Sequence, residues 1–402
     1  MSIRGTPPRG LAVIASAAIT AALAACGATA TPAPSSPAPA ATPASRVISP
    51  AASAASKSAV FGVLSVTFVS ADRGFALGSV GCGHRRCAAL LGTTDGGVTW
   101  RRLTAPTRVL GSQYSLCANG RPCVGQIRFA TAAVGYAFSP ALLMTTDGGQ
   151  HWRMLARTGV SSLEIAGRTA VRIAGGHEGC NGLPYGVESA AVGTDAWRNV
   201  PAPAIKLICP PALFRQGTRL VLAGFDNQSA GIPQPARLDR SADGGASWAS
   251  GADQCGGRDG YASAVALAPP AALVILCQHQ LVSTGRSAWL RVSADNGATF
   301  GPDRPLPLAA KVPLGEEVHY QLAAATPGRF VVLETTPDSY RVYRTEDAGR
   351  SWSAAFALNG FALPVLTGFD DPLTARIGQG DVLWTTHDGA RTWQATSFVP
   401  VS

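Results

Sequence analysis

The sequence predicts an all-β protein, a seven-bladed β-propeller of four-stranded blades, from three observations. An eight-residue phrase recurs along the chain: hydroxyl, any residue, Asp, any residue, Gly, any residue, hydroxyl, aromatic. Its aspartates lie about 50 residues apart, a spacing typical of repeat architectures. Each period also contains short β-type runs and almost nothing helical.

The phrase is clearest at residues 93–100 and 241–248, and further copies stand at 145–152, 293–300 and 345–352. The copy at 386–393 has Ala390 in place of the glycine, and His151 replaces the second hydroxyl in the copy at 145–152. A shortened relic stands at 194–197. Counting the relic, the repeated aspartates are Asp95, Asp147, Asp195, Asp243, Asp295, Asp347 and Asp388.

Each period predicts three short strands, then the phrase, then a fourth strand. In the first period the β-type runs are 63–70, 74–79 and 88–94, and the second and sixth periods repeat this order. Four-stranded units at a period of about 50 residues indicate the blades of a propeller.

The phrase predicts a hairpin between the third and fourth strands. The aspartate is expected to accept hydrogen bonds from backbone N–H groups of its own turn, and the glycine to adopt a positive φ. The aromatic residue is expected to open the last strand and to bury apolar area between blades. We therefore interpret the seven aspartates as structural residues.

The phrase resembles the Asp-box, or BNR repeat, and its copies cover residues 59–402. Proteins with this repeat include sialidases, sortilin-type receptors, xyloglucan-degrading enzymes and photosystem II assembly-factor-like propellers. The segment 68–100 is most similar to the last group, through Gly74-Phe-Ala-Leu-Gly78 followed by the phrase. The resemblance implies an Asp-box propeller of the sialidase-like superfamily, and it implies little about function.

The N-terminal residues predict export. Arg4 and Arg9 precede an apolar stretch at 11–25, and Leu23-Ala24-Ala25-Cys26 is similar to a bacterial lipobox, in which the cysteine is lipidated. The expected organisation is a signal peptide at 1–25, a lipid-anchored Ala/Pro/Ser-rich tether at 26–57 and the propeller at 58–402. The expected location is the extracytoplasmic face of the cell membrane. The alternative is an ordinary signal peptide in which Cys26 has no role.

The charge of the chain gives no support for a nucleic-acid partner. The formal net charge is +9, but four basic residues and no acid lie within 1–57, which leaves +5 for the propeller. No Lys/Arg cluster appears there. We expect a monomer without cofactor or metal.

The cysteines predict disulfides. Apart from Cys26 there are eight, an even number that is typical of an exported protein. Pairing between neighbours in the chain is the simplest arrangement: Cys82–Cys87, Cys117–Cys123, Cys180–Cys209 and Cys255–Cys277. A zinc site is the disfavoured alternative, since there is no Cys-x-x-Cys and only His84 lies near a cysteine pair.

The predicted binding face is the one opposite the hairpins. Long, cysteine-containing connections lie there, including 79–88, 175–186 and 251–261. Their polar residues are the candidate site: Arg85, Arg86, His177, Glu178, Tyr185, Arg258, Asp259, Tyr261, Glu316 and Glu317. Disulfides on such loops favour a preorganised recognition surface, although they equally serve to stabilise long insertions.

No catalytic residue is predicted. A sialidase-like enzyme needs an arginine cluster, a tyrosine nucleophile with a glutamate, and an acid/base aspartate. Tyr261, Tyr320 and Glu317 are the right residue types, but the Arg-Ile-Pro signature expected near the first blade is absent. The sequence therefore favours a non-catalytic binding or scaffold protein for an envelope protein or glycan. The alternative is a sialidase-like glycoside hydrolase or a carbohydrate-binding propeller.

Overall fold

The computed structural model describes residues 60–111, 121–175, 185–202, 212–225, 236–251, 254–255, 260–281, 285–307, 318–336, 339–358 and 363–400. Within these residues the chain forms strands β1 to β29 and no helix. The strands make seven sheets with their strands in chain order, six of four antiparallel strands and one with a short fifth strand, so the predicted seven-bladed propeller is confirmed.

The first three blades contain β1 to β13. Blade 1 consists of β1 (Gly62–Phe68), β2 (Gly74–Cys82), β3 (Arg85–Thr93) and β4 (Arg101–Leu103). Blade 2 consists of β5 (Val109–Leu110), β6 (Cys123–Phe129), β7 (Gly135–Pro140), β8 (Leu142–Thr145) and β9 (Arg153–Ala156), with the short β5 added parallel to β6. Blade 3 consists of β10 (Val160–Ala166), β11 (Thr169–Gly175), β12 (Tyr185–Ala191) and β13 (Arg198–Val200).

The remaining four blades contain β14 to β29. Blade 4 has β14 (Ala212–Gln216), β15 (Arg219–Phe225), β16 (Ala236–Ser241) and β17 (Ala249–Gly251). Blade 5 has β18 (Gly260–Ala268), β19 (Ala272–Leu281), β20 (Gly285–Ser293) and β21 (Arg304–Pro305). Blade 6 has β22 (His319–Ala324), β23 (Phe330–Thr335), β24 (Tyr340–Thr345) and β25 (Ser353–Leu358). Blade 7 has β26 (Val365–Phe369), β27 (Ala375–Gln379), β28 (Val382–Thr386) and β29 (Gln394–Ser397).

The hydrophobic core is divided among the seven interfaces between blades. Each interface holds one cluster of buried side chains from two neighbouring blades. Successive side chains of a strand point to opposite faces of its sheet, and each blade packs against a neighbour on both faces. Each interface between blades therefore has its own core. The first strands of successive blades contact one another around a complete ring, ending with β26 against β1.

The ring closes without sharing a strand between the chain ends. Two contacts hold blade 7 against blade 1. One is a parallel β-bridge between Trp100 and Pro400, and the other is the packing of Phe61 on Phe398, with ring centroids 5.4 Å apart. Arg376, fully buried on β27, donates to the carbonyl of Ala71 at 3.0 Å across the same junction. We call this junction the seam.

Two of the predicted disulfides lie within the described residues. Cys82–Cys87 joins β2 to β3, and Cys255–Cys277 joins the segment after β17 to β19. Cys123 is disulfide-bonded, and Cys26, Cys117, Cys180 and Cys209 lie outside the described residues. The prediction of a long connection at 79–88 is wrong. β2 continues to Cys82 and β3 begins at Arg85, because the disulfide and the ladder between the two strands extend the hairpin.

Within the described residues no helix is long and apolar enough to cross a membrane.

Candidate functional site

Six of the repeated phrases fold as one kind of turn between the third and fourth strands of a blade. We call them clamp turns, and they comprise residues 93–100, 145–152, 241–248, 293–300, 345–352 and 386–393. In the turn of blade 4, the Ser241 hydroxyl donates to Asp243 Oδ1 at 2.8 Å and accepts the N–H of Gly245 at 2.8 Å. Ser247 donates its N–H to Asp243 Oδ1 at 2.9 Å and its hydroxyl to Oδ2 at 2.6 Å.

The other five clamp turns repeat these contacts. The carboxylates of Asp95, Asp147, Asp295, Asp347 and Asp388 each accept the N–H four residues later at 2.8–2.9 Å. In blade 2, His151 Nδ1 lies 2.6 Å from Asp147 Oδ2 and takes the place of the missing hydroxyl. In blade 7, Ala390 takes the glycine position with φ +68°.

The clamp turns all lie on one face of the propeller, which we call the clamp face. The residue after the aspartate donates its N–H to a carbonyl in the turn between the first and second strands of the same blade. Examples are Gly96 to Asp72 and Gly244 to Thr218, both at 2.8 Å. This bond ties the two turns of each blade together at one edge of its sheet.

The hydrogen bonds stabilise the charged form of the carboxylates. Hydrogen bonds from the Thr99 and Ser351 side chains are the largest causes that lower the pKa of Asp95 and of Asp347 to about 2. The pKa values of Asp147, Asp243 and Asp295 are also held well below the ordinary range, with hydrogen bonds from their own turns as the cause. Because their own turns supply these hydrogen bonds to the charged form, the carboxylates are poor proton donors or acceptors.

Blade 3 departs from this pattern. Asp195 is exposed, and the contact that the structure gives it is an ion pair with Arg153 at 3.4 Å. The turn is held instead by the N–H of Gly193, which donates to the hydroxyl of Tyr136 on the neighbouring blade at 2.8 Å. Trp197 still packs between blades 2 and 3, with the Arg172 guanidinium 4.2 Å from its ring centre.

The opposite face holds a cavity of about 570 Å³ that is lined by blades 1, 6 and 7 and by Leu110 of blade 2. Its walls are the ends of strands that point away from the clamp turns, mainly the beginnings of β1, β22 and β26. We call it the channel-mouth cavity. Its lining comprises Gly62, Val63, Leu64, Ser79, Leu110, His319, Gln321, Thr335, Leu363, Pro364, Val365 and Gly380.

The lining of the channel-mouth cavity is largely apolar, and its rim is exposed. Leu363 is 68% exposed, and Leu64 and Val60 beside it are exposed as well. Gln321 is committed to structure: its amide donates to the Pro364 carbonyl at 2.7 Å and accepts from the Leu366 N–H at 2.8 Å. His319 is the titratable side chain among the lining residues.

Arg86 lies beside this cavity. Its guanidinium donates to the Ser79 hydroxyl at 2.8 Å, to the Ser79 carbonyl at 2.9 Å and to the Val60 carbonyl at 3.4 Å. Gly62 permits this approach, since a Cβ there would stand 2.8 Å from Arg86 Nη2. One of the sequence-predicted residues is therefore fixed next to the cavity, with its Nη1 free of these bonds.

The other predicted residues are spread over several blades. Arg85 is exposed at the start of β3, and Tyr185 at the start of β12 is half-buried against the core between blades 3 and 4. Burial raises the pKa of Tyr185. Tyr261 opens β18, paired with Gln278, and its side chain lies outside the described part. The following predicted residues lie outside the described residues: His177, Glu178, Arg258, Asp259, Glu316 and Glu317.

A buried acid that the sequence analysis did not single out lies between blades 5 and 6. Glu334, only 1% exposed, accepts hydrogen bonds from Tyr320 at 3.3 Å and Tyr343 at 3.2 Å. Burial raises the pKa of Glu334. The pair Tyr320–Glu334 has the residue types of a sialidase nucleophile, but it packs inside the core cluster of this interface. An acid within the apolar strand Phe330–Thr335 is the signal that could have marked it.

Among the described residues there is no group of three or more His, Cys, Asp or Glu that could hold a metal ion.

No protein-family model matches this chain, and no curated protein matches it. Among solved structures, it is similar to YCF48 bound to D1 peptide, with 17% identity over 82% of this chain and 94% of that chain and a TM-score of 0.50. It is also similar to an ulvan lyase of polysaccharide lyase family 25 bound to a glucuronate–rhamnose sulfate oligosaccharide, with 8% identity, coverage of 85% and 95%, and a TM-score of 0.54.

A third similar structure comes from a study of two prolyl endopeptidases, with 11% identity, a TM-score of 0.53, and coverage of 85% of this chain and 51% of that chain. A peptide-bound protein, a lyase and a peptidase thus share one architecture with this chain. Because a fold of this kind hosts unrelated activities, the likeness identifies the chain as a β-propeller, and its function has to be argued from its own surfaces.

Proposed function

We propose that this chain is an exported, lipid-anchored propeller that binds an extended segment of another envelope protein at the channel-mouth cavity, without catalysing a reaction. The observation that carries the proposal is the cavity itself, an apolar recess with exposed Leu64 and Leu363 at its rim and one fixed guanidinium, Arg86, beside it. Exposed apolar side chains around a recess are typical of a binding surface.

The chemistry of the cavity supports binding over catalysis. Hydrolysis of a glycosidic bond uses two carboxyl groups or a tyrosine–glutamate pair at one site. The described lining supplies one titratable group, His319, while Tyr320 and Glu334 point into a core cluster. An apolar side chain of a partner would fill the recess, and an acidic neighbour would meet Arg86.

The location is part of the proposal. The basic and apolar N-terminal residues that end at Cys26 support export and lipidation, and the disulfides Cys82–Cys87 and Cys255–Cys277 support an oxidising compartment. The contacts of the clamp turns support the assignment of the repeats as Asp-boxes. YCF48, which has a similar fold, is bound to a peptide, and a peptide is the partner class that we infer here.

A peptide-display library screened against the folded protein tests this function. We expect the wild-type chain to select peptides with a bulky apolar residue, and we expect Leu363→Asp to abolish their binding, because a carboxylate at the rim would be desolvated by an apolar ligand. Val98→Asp is the matched control: Val98 is 65% exposed but belongs to a clamp turn. Peptides that bind all three proteins alike would contradict the proposal.

Membrane attachment has its own test. Cys26→Ala should move the protein from the membrane fraction to the soluble exported fraction, since the lipid would be lost. An unchanged distribution would show that Cys26 is not the anchor.

A further inference from the structure

A second recess lies on the clamp face, between blades 1 and 2, with a volume of about 440 Å³. Blade 1 contributes Arg73, from the turn between β1 and β2, and Arg101, from the start of β4. Blade 2 contributes Asp147 and Gln150 from its clamp turn. Because β1 runs from the channel-mouth cavity to the turn that carries Arg73, this recess and the cavity lie at opposite ends of that strand.

The carboxylate of the recess is hydrogen-bonded within its own clamp turn. Asp147 Oδ1 accepts from the Thr145 hydroxyl at 2.8 Å and from the N–H groups of Gln150 and His151 at 3.0 and 2.9 Å. Its Oδ2 lies 2.6 Å from His151 Nδ1. Neither Arg73 nor Arg101 forms an ion pair with any described residue.

The turn that carries Arg73 is held in place, while the Nε–H of the Arg73 guanidinium has no partner. The backbone of its turn is fixed by two hydrogen bonds, from the Arg73 N–H to Ser70 Oγ at 3.1 Å and from the Val69 N–H to the Arg73 carbonyl at 2.9 Å. The guanidinium carbon stands 5.4 Å from the centre of the Phe75 ring, and the Nε–H is buried without a partner. A buried donor without a partner is unfavourable, so a ligand that accepts a hydrogen bond from it would be stabilised there.

The two guanidinium groups and the shape of the recess define a ligand class. A guanidinium presents N–H donors in a planar fork that matches the two oxygens of a carboxylate. Leu103, Ala132 and Ala133 give the recess an apolar wall, and its volume suits a ligand of monosaccharide size.

We propose that this recess is an anion site for a carboxylate carried on a small, sugar-sized body, with Arg73 and Arg101 as its ligands. The site is separate from the channel-mouth cavity and does not depend on peptide binding there. Two sources share the chemistry, a uronic acid of a glycan and a glutamate-like acid, and the test separates them.

The test is ligand-observed NMR titration of the folded chain with glucuronate, with glucose as the uncharged counterpart and N-acetylglutamate as the second acid. We expect saturable binding of glucuronate and none of glucose. Arg73→Gln and Arg101→Gln should each weaken it at least tenfold, which corresponds to ~1.4 kcal/mol. Arg102→Gln is the control, because Arg102 is exposed on the same strand but its side chain alternates away from the recess. It should change the dissociation constant less than about twofold, as an exposed charge at a distance does.

The outcomes are distinct. Competition by N-acetylglutamate at equal strength would show that the carboxylate alone is recognised, and weaker competition would show that the sugar body contributes; both support the site. Glucuronate binding that survives Arg101→Gln would overturn the proposal, as would the absence of saturable binding at millimolar concentrations. Arg101 is exposed, so its variant should keep the wild-type melting temperature and remains informative if Arg73→Gln destabilises the fold.

Discussion

The clamp turn of blade 4 and the turn of blade 3 occupy the same place in neighbouring blades and are held together in different ways. Asp243 accepts three side-chain or backbone donors within its own turn. Asp195 has only the exposed ion pair with Arg153, and the Tyr136 hydroxyl of blade 2 holds that turn through Gly193. Both turns nevertheless keep the aromatic residue, Trp248 or Trp197, in the interface with the preceding blade.

The difference separates two parts of the repeat. The aromatic residue, Trp248 or Trp197, packs between blades, where its side chain buries a large apolar area. The carboxylate closes a local turn, and a hydrogen bond from a neighbouring blade can replace it. Blade 3 also keeps the backbone bond between its two turns, from the Val192 N–H to the Arg168 carbonyl at 2.9 Å. A propeller of this kind therefore tolerates the loss of the aspartate of a clamp turn more readily than the loss of the aromatic residue that follows it.

The largest difference between the two turns is expected at their glycines. Gly245 has φ +97°, and a Cβ there would meet Val200 Cγ1 at 2.3 Å, so Gly245→Ala should lower the free energy of unfolding by about 2–4 kcal/mol. Gly193 has φ +82° but its nearest neighbour would be Val134 Cγ1 at 3.7 Å, so Gly193→Ala should cost only about 1 kcal/mol of strain. Urea unfolding measures both, and equal losses would contradict this account.

Acid should affect the clamps together. The folded-state pKa values of Asp95 and Asp347 are lowered from 3.8 to about 2, so each carboxylate stabilises the fold above its unfolded value. That stabilisation is lost as the pH falls through the folded value, because the unfolded chain then binds more protons. The melting temperature should fall steeply between about pH 4 and 2, and Asp347→Asn should make the fall shallower.

Tyr136 provides the matching test in blade 3. Tyr136→Phe removes the acceptor of the Gly193 N–H, and it should lower the free energy of unfolding by about 1–2 kcal/mol. Burial raises the pKa of the Tyr136 hydroxyl, so the group stays protonated throughout the neutral range and the effect should not depend on pH there. If Tyr136→Phe had the same melting temperature as the wild-type protein, the turn of blade 3 would need no side-chain support.

The smallest effect is expected for Asp195. Asp195→Ala removes an ion pair whose two side chains are 42% and 58% exposed, and such pairs contribute about 0–0.5 kcal/mol. Asp243→Ala, in contrast, leaves the Ser247 N–H and two hydroxyl groups without their acceptor, and it should lower the melting temperature by several degrees. Similar melting temperatures for the two variants would mean that the clamp and the relic are equivalent.

The fold could be predicted from sequence because its repeat is local. Each phrase specifies one turn within eight residues, and the spacing then gives the number of blades. The cysteine pairs Cys82–Cys87 and Cys255–Cys277 were predictable for the same reason, since neighbours in the chain remain neighbours in a blade. The relic resembles the clamp turns in sequence because it keeps the aspartate and the tryptophan. Trp197 follows Asp195 by two residues instead of five, however, and that leaves no room for the turn.

The candidate sites were harder to predict. The channel-mouth cavity joins Gly62 to His319 and Val365, which are about 250–300 positions apart in sequence and belong to three blades. No local pattern connects them, because they meet only when the ring closes. The position of Arg86 beside the cavity depends on its hydrogen bond to Ser79 and on the disulfide-linked hairpin, which sequence patterns do not specify. In the second recess, Arg73 and Asp147 meet through the packing of two blades.

The seam has a consequence for how the chain could be rearranged. Phe61 and Phe398 are in contact, so the beginning and the end of the propeller meet at one place, and every blade is built from a continuous stretch of sequence. The polypeptide could therefore be joined there by a short linker and opened at a connection between two other blades. The permuted protein would keep all seven blades and move the two chain ends to a chosen position around the ring.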